Sequence, residues 1–226
     1  MQYLPSPLND DLEDLPSQTD TLWASGYEVY DRISEPYQKF LEGLTATFAQ
    51  PIFNQSAKDN DFQLYSGPRG SPENTGDELR AVHPVVRTNP VTGWKSIFAV
   101  GHHTEKIDEL ADEESRHLLD WFVKLIVENH DLQVRYKWQN PNDLGMFLTP
   151  LPLFCLSHVH TCESAVFADR YISTTAAIWD NRSVYHSGTH DYADLGPRTG
   201  QRAVSIGEKP YFDPNSTGRR QALEKF

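Results

Sequence analysis

A mainly β chain with a few helices, folded as an antiparallel jelly roll, is the class this sequence predicts, on three observations. First, β-rich runs at Val82 to Thr88 and Trp94 to Val100 flank Asn89-Pro90-Val91-Thr92-Gly93, which reads as a hairpin with a five-residue connection. Second, Gln133 to Trp138 alternates like a half-buried strand and runs into Asn140-Pro141-Asn142-Asp143, a turn by composition. Third, helices are few: the firmest is predicted from a cap at Asp112 to about Glu128, where Leu118, Leu119, Phe122, Leu125 and Ile126 recur at helical spacing.

The other elements follow from local chemistry. Residues 1–18 are rich in Pro, Asp and Ser and read as a loose leader. Ser34-Glu35-Pro36 suits a helix start, Ser capping and Pro inside the first turn, and predicts Tyr37, Phe40, Leu41 and Leu44 on the inner face. From Gln55 to Glu78 the chain is polar and rich in Gly, Pro and Asn, which predicts a surface loop.

A chain of 226 residues, 38% of them apolar, can bury one sizeable core, so residues 19–226 are read as one domain. The net charge of −12, with no basic stripe, argues against nucleic acid or an anionic membrane as partner and leaves a small molecule as the expected ligand. The start lacks a basic region and an apolar core of the kind secretory signals carry, and no window is long enough to span a bilayer. Two cysteines, Cys155 and Cys162, are too few for a disulfide framework, so a reduced cytoplasmic setting is expected.

The chemistry concentrates near the end. Ala177-Ile178-Trp179 reads as a short apolar strand that enters the polar turn Asp180-Asn181-Arg182, and His186 follows on the far side. An imidazole there can bind a metal through one nitrogen. Arg202, in Gly200-Gln201-Arg202-Ala203-Val204, lies on the next predicted strand, where a guanidinium can grip a dicarboxylate by its far end. Two histidines and a carboxylate on one face of Fe(II) would leave positions open for a co-substrate and dioxygen. Taken alone, His186 could equally be a surface histidine, and Asp180, Asn181 and Arg182 suit turn formation better than catalysis.

Together with Asp20-Thr21-Leu22-Trp23, Tyr27 to Ala49, His83-Pro84-Val85-Val86-Arg87-Thr88 and Gly207-Glu208-Lys209-Pro210-Tyr211-Phe212, this pattern resembles the taurine dioxygenase (TauD/TfdA) family of Fe(II)/2-oxoglutarate-dependent oxygenases, its fungal sulfonate dioxygenase-like branch best. The resemblance covers roughly residues 19–144 and 177–215. It implies a double-stranded β-helix, a cupin-like jelly roll, with Fe(2+) as metal and 2-oxoglutarate as co-substrate. It implies that His186 is the distal iron-binding histidine. It further implies that Arg202 pairs with the keto acid's remote carboxylate, with Arg198 as a rival, that Thr21 helps hold the same carboxylate, and that Trp179 shields the metal pocket. The substrate it implies is taurine, another alkylsulfonate or a secondary metabolite.

Two departures stand out. The family's His-x-Asp or His-x-Glu iron ligands precede the Asp-Thr-Leu-Trp stretch, yet no histidine precedes Thr21 here; His103-Thr104-Glu105 has the spacing but follows the hairpin. The chain therefore reads as a member that has lost its N-terminal part and a strand or more of the roll, so that exposed strand edges favour homo-oligomers. An inactive remnant or pseudo-enzyme is then the alternative to a working hydroxylase. Second, residues 145–176 hold both cysteines but only three charges, Glu163, Asp169 and Arg170, and interrupt what would otherwise be a strand, tight turn and strand. They read as an inserted segment, such as translated intronic sequence, with an ordinary lineage-specific loop or a Cys155, His158, His160, Cys162 zinc cluster as alternatives.

Overall fold

A computed structural model describes residues 20–68, 72, 74–76, 78–137, 144–147, 176–189 and 204–224. The leader, the Asn140–Asp143 turn, residues 148–175 with both cysteines, and Arg198 and Arg202 lie outside the described residues. The chain opens with β1 (Asp20–Ser25), α1 (Gly26–Arg32), α2 (Glu35–Glu42), β2 (Thr45–Ala49) and α3 (Pro51–Asp59). It continues with β3 (Arg80–Pro84), β4 (Val86–Thr88), β5 (Lys95–Ile97), β6 (Thr104–Ile107) and α4 (Asp112–Val127). After a 3-10 turn at His130–Leu132 come β7 (Gln133–Lys137), β8 (Leu144–Phe147), β9 (Ala176–Trp179), β10 (Val184–Gly188) and α5 (Arg219–Leu223).

Among the described residues the strands make small sheets packed with helices. β1 lies between β10 and β7, and β2 between β3 and β6, all antiparallel; β4 pairs with β5 antiparallel, and β8 with β9 in parallel. The Val82–Thr88 run is two strands and not one. The chain breaks at Val85, so Arg80–Pro84 joins β2 while Val86–Thr88 joins β5, and the expected hairpin survives only in the second piece. Gly93 supplies its left-handed turn residue, at φ 69°. At the two edges of the suspected insertion 145–176, Leu144–Phe147 and Ala176–Trp179 run side by side in the same direction.

Hydrophobic burial explains how the helices sit. The Ser25 hydroxyl accepts from the Glu28 amide and starts α1, which then buries Tyr27, Val29 and Tyr30. In α4 the cap position belongs to Ala111, one residue before the expected Asp112. The Glu114 carboxylate accepts from the Ala111 amide, and Asp112 becomes the first helical residue, its charge favourable at the helix N-terminus. Leu118 and Phe122 enter the core while Leu119, Leu125 and Ile126 pack on its margin. There Phe122 joins Val29, Leu41, Ala46, Val85, Ile97 and Ile107, each large side chain contributing about 1.5–3 kcal/mol by leaving water.

Two local expectations change. In α2 only Leu41 turns inward, with Leu44 buried just past its end; Tyr37 and Phe40 remain 49% and 45% exposed, edge-on to each other, with Tyr37 also against Trp121. A helix this short offers the core one narrow stripe. The polar stretch expected to begin at Gln55 starts later, because α3 continues to Asp59 with Pro51 in its first turn. No helix among the described residues is long and apolar enough to cross a membrane.

Candidate functional site

The central strand β1 organises the site through the two-residue alternation of side chains. Trp23 stands directly opposite His186 on β10 and opposite Val134 on β7, while Thr21 stands opposite Gly188 and Tyr136. Thr21, Trp23 and His186 therefore share one face. Ala24 and Tyr185 occupy the other, where Ala24 joins the core and the Tyr185 hydroxyl donates to the Ile97 carbonyl. Asp20, next to Thr21 in sequence, also points away from His186 and pairs with Arg135.

Trp179, arriving on β9, closes this face. Its ring lies 4.8 Å from that of His186 and 5.7 Å, edge-on, from that of Trp23, and its indole N–H donates to Asn181 Oδ1 at 2.6 Å. Trp23 is 3% and Thr21 7% exposed, whereas His186 is open to solvent on its outer side. The result is a threonine hydroxyl, an imidazole and two indoles arranged around one patch.

The turn between β9 and β10 is held by charge. Asp180 accepts from the Arg182 amide at 2.9 Å, from the Arg182 guanidinium at 2.8 Å and from the Asn89 side chain at 3.2 Å. Burial pushes the Asp180 carboxyl up, but these donors hold it below the usual carboxylate range. Arg182 reaches Glu208 at 3.4 Å, and Glu208 accepts from Arg87 at 2.6 Å. Arg87 is 4% exposed and lies over the Phe98 ring. Neither Arg87 nor Glu208 was legible as a pair, because 121 residues separate them.

The described residues bring Thr21, Trp179 and His186 together; Arg202 lies outside them. The substitute pair His103 and Glu105 sits on a different sheet from His186: His103 stacks on Phe53, and Glu105 is engaged by Arg80 at 2.7 Å. Among the described residues no three His, Cys, Asp or Glu side chains converge on a point that could hold a metal. This donor set does not fit ferrous iron by itself, since a facial triad needs two further ligands beside His186. What it does offer is a hydroxyl donor beside a sheltered aromatic wall, suited to one end of a small anion.

Comparison with known proteins identifies the family. The family model described as "Taurine catabolism dioxygenase TauD, TfdA family" matches residues 12–148. The alpha-ketoglutarate-dependent dioxygenase btcD of Neocamarosporium betae is 53% identical over 209 residues, covering 92% of this chain and 51% of that protein. The alpha-ketoglutarate-dependent dioxygenase esdpJ of Penicillium shearii is 49% identical over 209 residues, covering 92% and 47%. The chain thus spans about half the length of the curated relatives it matches. The crystal structure of AAD-2 in complex with Mn(II) and N-oxalylglycine superposes with a TM-score of 0.54 at 20% identity, over 86% of this chain and 60% of that one, and so shares its fold. With the family model matched over more than half its length, the chain belongs to the taurine catabolism dioxygenase TauD, TfdA family.

Proposed function

We propose that the Thr21, Trp23 and His186 face is the co-substrate side of an Fe(II)- and 2-oxoglutarate-dependent dioxygenase pocket, carried on a double-stranded β-helix. The observation that supports this is the register: Thr21 and His186 occupy the same face of neighbouring strands, and Trp179 packs against His186 and Trp23 on that face. In this reading the Thr21 hydroxyl donates to the remote carboxylate of the keto acid, and Arg202 neutralises it. His186 is one of the three ligands that a facial triad needs. Trp179 keeps water from the centre. The substrate is a small organic molecule, an alkylsulfonate such as taurine or a secondary metabolite.

The purified chain tests this directly. Titration with 2-oxoglutarate, followed by tryptophan fluorescence, is expected to show saturable binding. Thr21→Val should weaken it by roughly tenfold or more, as expected for a hydrogen bond to a charged group, and Arg202→Met should weaken it further. Unchanged affinity in both variants, with Arg198→Met also silent, would defeat the proposal. A second reading, binding without turnover, is favoured because among the described residues no three metal-binding side chains converge with His186. Iron-dependent release of succinate from 2-oxoglutarate would reject it, and keto-acid binding with no succinate would support it.

A further inference from the structure

Two distant stretches of chain meet beside the proposed pocket: the β9–β10 turn, which leads to His186, and residues 204–208. A continuous chain of charge joins them. Asn89 donates to Asp180 at 3.2 Å, Asp180 accepts from Arg182 at 2.8 Å, Arg182 meets Glu208 at 3.4 Å, and Glu208 accepts from Arg87 at 2.6 Å. Its anchor is internal: Arg87 is 4% exposed, projects from β4 over the Phe98 ring, and has its Nε buried without a hydrogen-bond partner among the described residues. A cation placed there costs several kcal/mol of desolvation in general, and Glu208 is the carboxylate that offsets it.

We infer that Arg87 and Glu208 are positioning residues: they fasten residues 204–208 to the turn before His186, and thereby hold the Trp179 and His186 wall of the proposed pocket in place. The inference rests on the reading of the Thr21 and His186 face as a keto-acid site. Three features favour positioning over simple cohesion. Glu208 is the shared node, accepting from a buried arginine on one side and from a half-exposed one on the other. Arg182 spends its guanidinium on both Asp180 and Glu208, so the turn and the distal segment move together. Asp180, the carboxylate next to Trp179 in sequence, has both oxygens engaged by this brace.

The test uses the full chain labelled with 5-fluorotryptophan, whose five tryptophans give separate fluorine resonances, with Trp179 and Trp121 assigned by Trp→Phe replacement. Glu208→Gln removes the shared charge while keeping the shape. Arg182→Met removes the guanidinium's bonds to both Asp180 and Glu208 and leaves the buried Arg87–Glu208 pair in place, so it serves if the first variant folds poorly. Either variant is expected to shift the Trp179 resonance, leave Trp121 on α4 in place, and weaken binding of added 2-oxoglutarate by roughly tenfold, as displaced binding groups do. A Trp179 resonance that stays put, or five resonances that move together, would overturn the inference. If the unaltered chain binds no 2-oxoglutarate, the proposed function fails by itself, and the fluorine spectrum still decides whether the brace holds the turn.

Discussion

Trp23 and His186 face each other across the β1–β10 pair, and the Trp179 ring leans on both, 5.7 Å from one and 4.8 Å from the other. The three rings are thus one contact unit. Trp179→Ala is expected to lower stability by about 1 kcal/mol, the range of an aromatic pair beyond its area. Combined with His186→Ala in a double-mutant cycle by chemical denaturation, the two losses should fall short of additive by about 0.5 kcal/mol or more.

A second prediction concerns Glu42, which accepts from the Tyr30 hydroxyl at 2.5 Å and from Lys95 Nζ at 2.8 Å. Lys95 has a side chain only 10% exposed. Glu42→Ala strands that ammonium and should cost about 3 kcal/mol. The double variant Glu42→Leu with Lys95→Met should recover most of the loss, measured by thermal or urea unfolding.

His83 supplies the pH dependence. Burial against Phe48 and Phe98, then the charges of Lys209 and Arg87, hold its imidazole below the ordinary value. As pH falls, the unfolded chain takes up this proton first. The stabilisation is therefore full above about pH 6.5 and is lost as pH drops below it. Urea midpoints between pH 7 and pH 5 should decline in the unaltered chain and flatten in His83→Gln. The lowered Asp180 carboxyl has the same sign but acts at lower pH, below the ordinary carboxylate range.

Gly26 is a packing prediction. Its amide donates to the Ser183 carbonyl at 2.8 Å, and a Cβ there would meet that oxygen and the Tyr185 hydroxyl, each at 3.2 Å. Gly26→Ala should destabilise by about 1 kcal/mol through this crowding, read as a lower melting temperature together with a changed Trp179 environment.

How much of this could be read from the sequence differs by element. The α4 stripe was legible because helical periodicity and burial coincide, and only its cap slipped by one residue, since the Glu114 side chain serves the Ala111 amide. Tyr37 and Phe40 were misplaced because periodicity gives a face but not what lies opposite it; Trp121 meets Tyr37 at the rim and leaves both rings partly in water. The Val82–Thr88 run looked like one strand because all its residues favour extended backbone, and the change of partner at Val85 is a tertiary event. At the site, short motifs flagged Thr21, Trp179 and His186. The shared face came only from the β1–β10 register, and the Arg87–Glu208 pair only from three-dimensional proximity.

The direction of the β8–β9 pair carries a consequence for the length of the chain itself. Because Leu144 lies beside Ala176 and Phe147 beside Trp179, the exit of one strand and the entry of the next fall at opposite ends, about 10 Å apart along the strands. Parallel neighbours ordinarily need a dozen or more connecting residues. A shortened chain that joined Phe147 directly to Ala176 would lack the tether to make this parallel pairing.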